Sequence, residues 1–278
     1  MQTDISPETA VEKEQRLKII VREYGTLAVA YSGGVDSSYL ADIAHETLGV
    51  NARILLADSP SVPRSEVEEA TELAHRRGWQ FEIIYTTEFE NDAYLKNDGT
   101  RCYHCRSALF HTMAAYARSN GIKVMAYGEI VDDLQDPTRL GAVAAKQYKV
   151  VAPLTAAGLS KVEIRMLSER RGLPTADKPS FACLSSRFPV GTPVTVDDLK
   201  KVESTEEALK RLGFRQYRAR HHGDLCRIEI DLEDVPKLLD RSTRDKVVEA
   251  AKVAGYRFVT LDLVGYKTGS IAGIVNDY

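Results

Sequence analysis

The sequence predicts a doubly wound α/β domain, a parallel sheet with helices on both faces, followed by a small α+β unit. Three observations predict it. Short apolar runs alternate with helix-period segments as far as about residue 178, and parallel strands require such right-handed crossovers. The runs "AVA" and "ILLA" lack polar alternation, which fits strands buried on both faces. Past residue 178 the rhythm changes to helix, hairpin, helix and closing strand.

Taken in order, Ser6-Pro7-Glu8 supplies a hydroxyl cap, a proline at the first helical position and a first-turn acid. The helix it starts runs through "VEKEQRLKIIVREY" and stops at Gly25. "TLAVAYS" is a first strand ending in two glycines, and "SSYLADIAHETLG" its helix, closed by Gly49. "ARILLAD" is the second strand, followed by the helix "RSEVEEATELAHRRG"; "WQFEIIYTT" is the third. The helix of "CRSALFHTMAAYARSNG" leads to the fourth, "KVMAYGE". A short fifth strand is expected in "YKVVAPL", with "SKVEIRMLSERRG" as its helix. The segment from 179 to 194 is Pro-rich and aperiodic, a linker or functional loop between a domain 1–178 and a domain 195–278. In the latter, "DDLKKVESTEEALKRLG" is an amphipathic helix. "FRQYRARHH" and "LCRIEIDL" form a hairpin turned at Gly223-Asp224. A helix interrupted or started at Pro236 and the strand "YRFVTLDL" complete it.

Composition narrows the function classes. The chain has 278 residues, 44% hydrophobic and 28% charged, with a formal net charge of −3. The start is acidic and polar, without the apolar core of a secretory signal, and no apolar run reaches the roughly 18 residues of a membrane span. A cytoplasmic protein is expected, and with it reduced thiols rather than disulfides. The acidic balance speaks against wholesale nucleic-acid binding.

The strongest local signal is "AVAYSGGVDSSYL". Ser32-Gly33-Gly34-Val35-Asp36-Ser37 lies between the first strand and its helix. Two glycines permit close backbone approach, and a helix N-terminus offers free N–H groups to an anion. Ser32, Ser37 and Ser38 add hydroxyls. The spacing is neither that of a Walker A loop nor G-x-G-x-x-G. It resembles the PP-loop of the ATP pyrophosphatases, which implies ATP and Mg²⁺ and a carbonyl activated by adenylylation. On that resemblance Asp58 and Ser59 join the loop in holding ATP. "YGEIVDDLQD" resembles the second family motif, so Asp132 and Asp133 are candidates for Mg²⁺ or substrate. Lys161 is expected to reach a phosphate, and Asp36 to serve catalysis.

Within that superfamily, "DKPSFACLSSRFPVGT", "RARHHGDLCRIEI" and "GYRFVTLDLVGYKTG" resemble the LarE-like sulfur transferases of nickel-pincer cofactor biosynthesis. The resemblance implies adenylylation of a carboxylate of pyridinium-3,5-biscarboxylic acid mononucleotide, then thiocarboxylate formation with a cysteine-derived sulfur. Cys183 occupies the loop-cysteine position; some family members carry this cysteine alone and give up its sulfur, leaving dehydroalanine. Arg187, four residues on, is a candidate to activate the thiolate. Cys102 and Cys105 match a C-x-x-C that other members add, and with Cys183 they are implied to hold a [4Fe-4S] cluster with one open iron. A persulfide relay and a zinc site including His104 are the other readings of that pair.

Arg218 and Arg220 lie two apart on a strand and so share a face, where guanidinium groups suit a substrate phosphate. The family's phosphate site adds Arg187 and Glu206. Arg215 is as readily a solvated charge, while Cys226 and Trp79 are read as packing. The resemblance also implies a homo-oligomer, in the family a hexamer. The rival readings are a PP-loop amide ligase or tRNA thiolase, and a non-catalytic ATP-sensing protein.

Overall fold

The computed structural model describes residues 9–135, 140–179 and 182–267. In chain order the elements are α1 (Ala10–Tyr24), β1 (Leu27–Tyr31), α2 (Val35–Leu48), β2 (Ala52–Asp58), α3 (Arg64–Arg76), β3 (Phe81–Tyr85), α4 (Asp92–Leu95), α5 (Arg101–Ser119), β4 (Val124–Ala126), α6 (Leu140–Gln147), α7 (Pro153–Ala156) and α8 (Lys161–Arg170). They continue with α9 (Val196–Arg211), β5 (Tyr217–His222), β6 (Leu225–Ile230), α10 (Arg241–Val253) and β7 (Phe258–Leu261), with 3₁₀ turns between several of them.

The chain divides into two units. The first comprises residues 1–59, 64–88 and 102–180; the second comprises 60–63, 89–101 and 181–278. The second unit thus takes in two segments that the sequence reading assigns to the first domain, and it takes in the loop beyond residue 180.

In the first unit β1 to β4 form a parallel sheet of order β3-β2-β1-β4. Its strands are apolar on both faces for a visible reason. Leu27, Val29, Ile54 and Leu56 pack with α1, α2 and α8 residues in one core, while Ala28 and Leu55 pack with Phe110 and Met113 of α5 in another. The expected fifth strand is only a bridge between Ala126 and Val151, because Pro153 begins α7 immediately after it. On the α2 side, Asp42 is 3% exposed and receives Arg77, Arg171 and the Trp79 indole, at 2.8, 2.6 and 3.4 Å. This joins the ends of α3 and α8 to the middle of α2, and it accounts for Trp79 as packing with a satisfied N–H.

The second unit holds a mixed three-stranded sheet of order β5-β6-β7. The hairpin β5–β6 pairs Tyr217 to Ile230 through His222 to Leu225, so the turn falls at Gly223-Asp224 as expected. β7 then joins β6 in parallel. One face, with Tyr217, Ala219, Cys226 and Ile228, packs against Leu199, Val202 and Leu209 of α9 and Val247 and Ala251 of α10. Burial pushes the Cys226 thiol up to about 12, in keeping with packing rather than reactivity. The helix anticipated around Pro236 is split: Pro236 sits in a 3₁₀ stretch, Leu232–Leu238, and α10 starts afresh from the Asp240 cap. The first helix is likewise capped by Thr9, through a capping box with Glu12. The Ser6-Pro7-Glu8 start lies outside the described residues, as do Ser180, Phe181, Asp136, Thr268 and Gly269 of the quoted motifs.

Two glycines test how tightly the first βα turn is built. Gly25 and Gly33 both have positive φ, 69° and 72°, but a Cβ on Gly25 would meet nothing within 4 Å, whereas one on Gly33 would lie 3.0 Å from the Ala70 Cβ. Gly25→Ala should therefore cost only the left-handed backbone strain, about 1 kcal/mol, and Gly33→Ala about 1–3 kcal/mol more from overpacking. Urea unfolding of the two variants side by side measures the difference.

Candidate functional site

In the first unit the site is the carboxyl edge of the parallel sheet. Gly33 leaves β1 in the left-handed conformation, and Gly34, extended at φ −82° and ψ 165°, is the N-cap of α2 without any capping side chain. The first N–H groups of α2 are thus left for a ligand. Ser37 braces the loop from within. Its hydroxyl donates to the Gly34 carbonyl at 3.1 Å, accepts the Ser32 N–H at 3.2 Å and lies 3.0 Å from the Ser32 hydroxyl. Ser38 is fully buried and its Oγ has no partner among the described residues. From β4, Gly128 approaches so closely that a Cβ there would sit 3.0 Å from the Ser37 nitrogen. The sequence reading quoted this glycine in its motif and gave it no role, although a glycine right after a central strand marks such an approach.

Asp36, in the first turn of α2, is partly buried and binds Lys161 at 2.6 Å. Burial raises its carboxyl above the ordinary range, with Lys161 working in the opposite direction and Asp133 adding to the rise. Its Oδ1 is buried with no hydrogen-bond partner among the described residues. Asp132 accepts the Lys161 backbone N–H at 3.0 Å and Asp133 that of Ile130 at 3.3 Å. The sequence-predicted Asp36, Asp132, Asp133 and Lys161 are therefore brought together. Mg²⁺ takes one or two carboxylates and completes its shell with phosphates and water; the orphaned Asp36 oxygen and Asp133 fit a Mg²⁺ carried in with ATP. Asp58 and Ser59 close β2, with Arg64 held 2.6 Å from the Asp58 carboxylate and 2.8 Å from the Ser59 carbonyl.

In the second unit the site is the loop around Cys183. Cys183 is half-buried and is the N-cap of a 3₁₀ turn, Leu184–Arg187. Arg187 is 0% exposed. Its guanidinium meets Glu206 of α9 through two bonds of 2.8 Å, and its remaining N–H groups reach the carbonyls of Ala182 and Cys183 at 2.6 and 3.0 Å and the Ser186 hydroxyl at 2.9 Å. Burial opposes the Arg187 charge, but Glu206 outweighs it and holds the guanidinium above its ordinary value, with a smaller contribution from Cys183. Glu206 also accepts the Ala219 N–H of β5 at 2.9 Å. The sequence reading gives Arg187 and Glu206 to a phosphate; the structure engages them with each other and with the loop backbone.

The loop has a second support that sequence reasoning missed. Asn97, 1% exposed with φ 54°, donates to the carbonyls of Pro189 and Thr192 at 2.8 and 3.0 Å and accepts from Arg101 at 2.6 Å. Tyr94 bonds the Ser185 hydroxyl at 2.8 Å. The only sequence signal was "NDG", a turn tripeptide whose asparagine tolerates the left-handed region.

Arg218 and Arg220 share the sheet face away from α9, as their spacing predicts, but are 4% and 5% exposed. Arg220 binds Glu229 and the Ser186 carbonyl, at 2.8 and 2.9 Å. Arg218 reaches the Tyr217 carbonyl at 2.6 Å and lies over the Tyr266 ring at 4.9 Å; burial, then Arg187, lowers its guanidinium below the ordinary value. Glu229, unflagged in the sequence reading, also takes Arg227 at 3.1 Å. Arg215 is exposed.

Cys102 and Cys105 lie one turn apart at the start of α5, exposed and half-buried, and all four cysteines are thiols. Both are in the first unit and Cys183 is in the second. Among the described residues, no group of three or more His, Cys, Asp and Glu is gathered to hold a metal ion. No helix among the described residues is long and apolar enough to cross a membrane.

A parallel sheet whose first βα turn is a Ser-Gly-Gly-x-Asp-Ser loop, with a lysine on the loop's acid, defines a PP-loop ATP-binding protein. No family model matches the chain. An uncharacterised protein of Synechocystis is 38% identical over 259 residues, 93% of this chain and 96% of the relative. The pyridinium-3,5-bisthiocarboxylic acid mononucleotide synthase of Lactiplantibacillus plantarum is 30% identical over 263 residues, 94% of both chains. A GMP synthase of Chlamydia caviae is 25% identical over 182 residues, 59% of this chain and 35% of the synthase. The chain belongs to the family of the Lactiplantibacillus synthase, the LarE-like sulfur transferases.

Because Arg187 is buried and bidentate, removing it strands the Glu206 charge. Arg187→Met should destabilise the chain by about 3–5 kcal/mol, and adding Glu206→Met should recover much of the loss. Chemical unfolding of the two single variants and the double variant measures this coupling; additive losses would refute it.

Proposed function

We propose that the chain is an ATP-dependent sulfur transferase that converts a carboxylate of pyridinium-3,5-biscarboxylic acid mononucleotide to a thiocarboxylate for nickel-pincer cofactor biosynthesis. The observation that carries the reading is an accessible thiol, Cys183, on a loop whose backbone is clamped by a fully buried arginine. The PP-loop of the first unit and the 30% identity to the Lactiplantibacillus synthase support it further.

ATP binds with its phosphates on the α2 N-terminus, Asp36 would hold Mg²⁺ through its second carboxylate oxygen, and Lys161 turns from Asp36 to a phosphate. The substrate carboxylate attacks the α-phosphorus; the bond to the bridging oxygen breaks, and pyrophosphate leaves. The mixed anhydride then presents an acyl carbon to the Cys183 thiolate. An acyl–sulfur bond forms, and AMP departs with one oxygen of the former carboxylate. Breaking the Cβ–S bond of Cys183, with loss of its α-proton, releases the thiocarboxylate and leaves dehydroalanine. Arg187 holds the loop carbonyls that aim Cys183, and Arg218 and Arg220 are assigned the substrate phosphate. A [4Fe-4S] cluster on Cys102, Cys105 and Cys183 would instead supply a sulfide on an open iron.

An amide ligase or tRNA thiolase would adenylylate a different acceptor, and an ATP sensor would release no pyrophosphate. With ATP and the biscarboxylic mononucleotide, pyrophosphate release should depend on the mononucleotide. Cys183→Ala should keep that release and lose the thiocarboxylate product, read by mass spectrometry. A Cys183→Ala chain that still makes thiocarboxylate would falsify the assignment of Cys183.

A further inference from the structure

Among the described residues, each acid along the carboxyl edge of the parallel sheet has at least one ion-pair or hydrogen-bond partner except one, although an oxygen of Asp36 and one of Asp58 also lack a hydrogen bond. Asp36 holds Lys161, Asp58 holds Arg64, Glu129 is bonded to Tyr127, and Asp132 and Asp133 accept backbone N–H groups. Glu88 stands apart. It follows β3 by three residues, is 3% exposed, and its Oε2 is buried with no hydrogen-bond partner among the described residues. Leaving a carboxylate oxygen buried and unbonded is costly, so such a group is normally completed by something the polypeptide does not supply.

We propose that Glu88 accepts hydrogen bonds from the vicinal 2′- and 3′-hydroxyls of the ribose of a nucleotide bound along this edge. Three features carry it. In open parallel α/β sheets an acid at a strand's carboxyl end commonly takes ribose hydroxyls. The obvious acid for that role here, Asp58 at the end of β2, is already engaged by Arg64. Tyr85, the last residue of β3, is level with Asp58 across the ladder, and strands spaced about 4.8 Å put β3 roughly 10 Å from β1. That is the reach of a nucleotide from a phosphate at Gly33 and Gly34 to its ribose. A carboxylate has two acceptor oxygens, which match the two donating hydroxyls of a vicinal diol as a single acceptor cannot.

The inference rests on the PP-loop as a nucleotide site, and two nucleotides bear the diol: ATP and the pyridinium mononucleotide substrate. The test is equilibrium binding of Mg²⁺·ATP and of its 2′-deoxy and 3′-deoxy analogues to the wild-type chain and to Glu88→Gln. A parallel arm uses nicotinic acid mononucleotide and its 2′-deoxy analogue. The wild-type chain should lose about 10- to 100-fold in affinity with the deoxy forms, as expected for a hydrogen bond to a charged group. Glu88→Gln should bind the ribose form more weakly and no longer discriminate. Discrimination in the mononucleotide arm alone would support the same chemistry with the substrate as its source.

The proposal is overturned if the wild-type chain binds ribose and deoxyribose forms equally in both arms. It is also overturned if Glu88→Gln lowers the unliganded melting temperature while discrimination persists, since that marks a structural acid. A wild-type chain that binds no ATP in any form overturns the nucleotide-site reading itself, and so is distinct from either result.

Discussion

A single carboxylate, Glu206, organises the second unit. Helix α9 projects it into the interior, where it meets Arg187 of the Cys183 loop through two bonds and the Ala219 N–H of β5 through a third. Helix, loop and sheet therefore share one buried charge. Burying an ion pair gains little stability over a well-packed apolar pair, so its value lies in geometric definition. Arg187 takes the Ala182 and Cys183 carbonyls in a fixed fork, and a lysine, with its point charge, could not do the same. Asn97 does the equivalent work at the far end of the loop. A Pro-rich stretch with no ladder of its own is thereby held as firmly as an element of regular structure.

The first unit uses charge differently. Its phosphate loop carries no cation; α2 offers uncapped N–H groups, and Lys161 waits on Asp36. Without ATP, the ion pair offsets part of the burial of both groups. In the proposed reading, ATP would give the lysine a more highly charged partner and Asp36 would turn to a metal ion, so the same residues would serve both states. Arg218 follows another variant of this logic: its guanidinium is buried over the Tyr266 ring, and burial with Arg187 nearby lowers its hold on the proton.

What could be read in the sequence follows from periodicity and local chemistry. The four strands, the loop after β1 and the hairpin turn at Gly223-Asp224 were all legible, because apolar runs and glycine positions are local signals. So was the shared face of Arg218 and Arg220. The Val150-Val151 run looked like a strand, but Pro153 limits it to one bridge. Pro236 looked like a helix start, but Asp240 provides the better cap. Residues 89–101 were unreadable as part of the second unit, since the bonds from Asn97 and Tyr94 to residues 185–192 span about ninety positions of sequence. The pairing of Arg187 with Glu206 was hidden for the same reason. The family resemblance implied two phosphate ligands, and only three dimensions show each bonded to the other.

The measurement that tests the account most directly follows an oxygen atom. The substrate mononucleotide, labelled with ¹⁸O in both carboxylates, would be turned over once with unlabelled ATP and the AMP examined by mass spectrometry. If the carboxylate is adenylylated and then displaced by sulfur, each AMP formed with product carries one ¹⁸O. AMP without label, or label in inorganic phosphate alongside ADP, would contradict adenylylation at this loop.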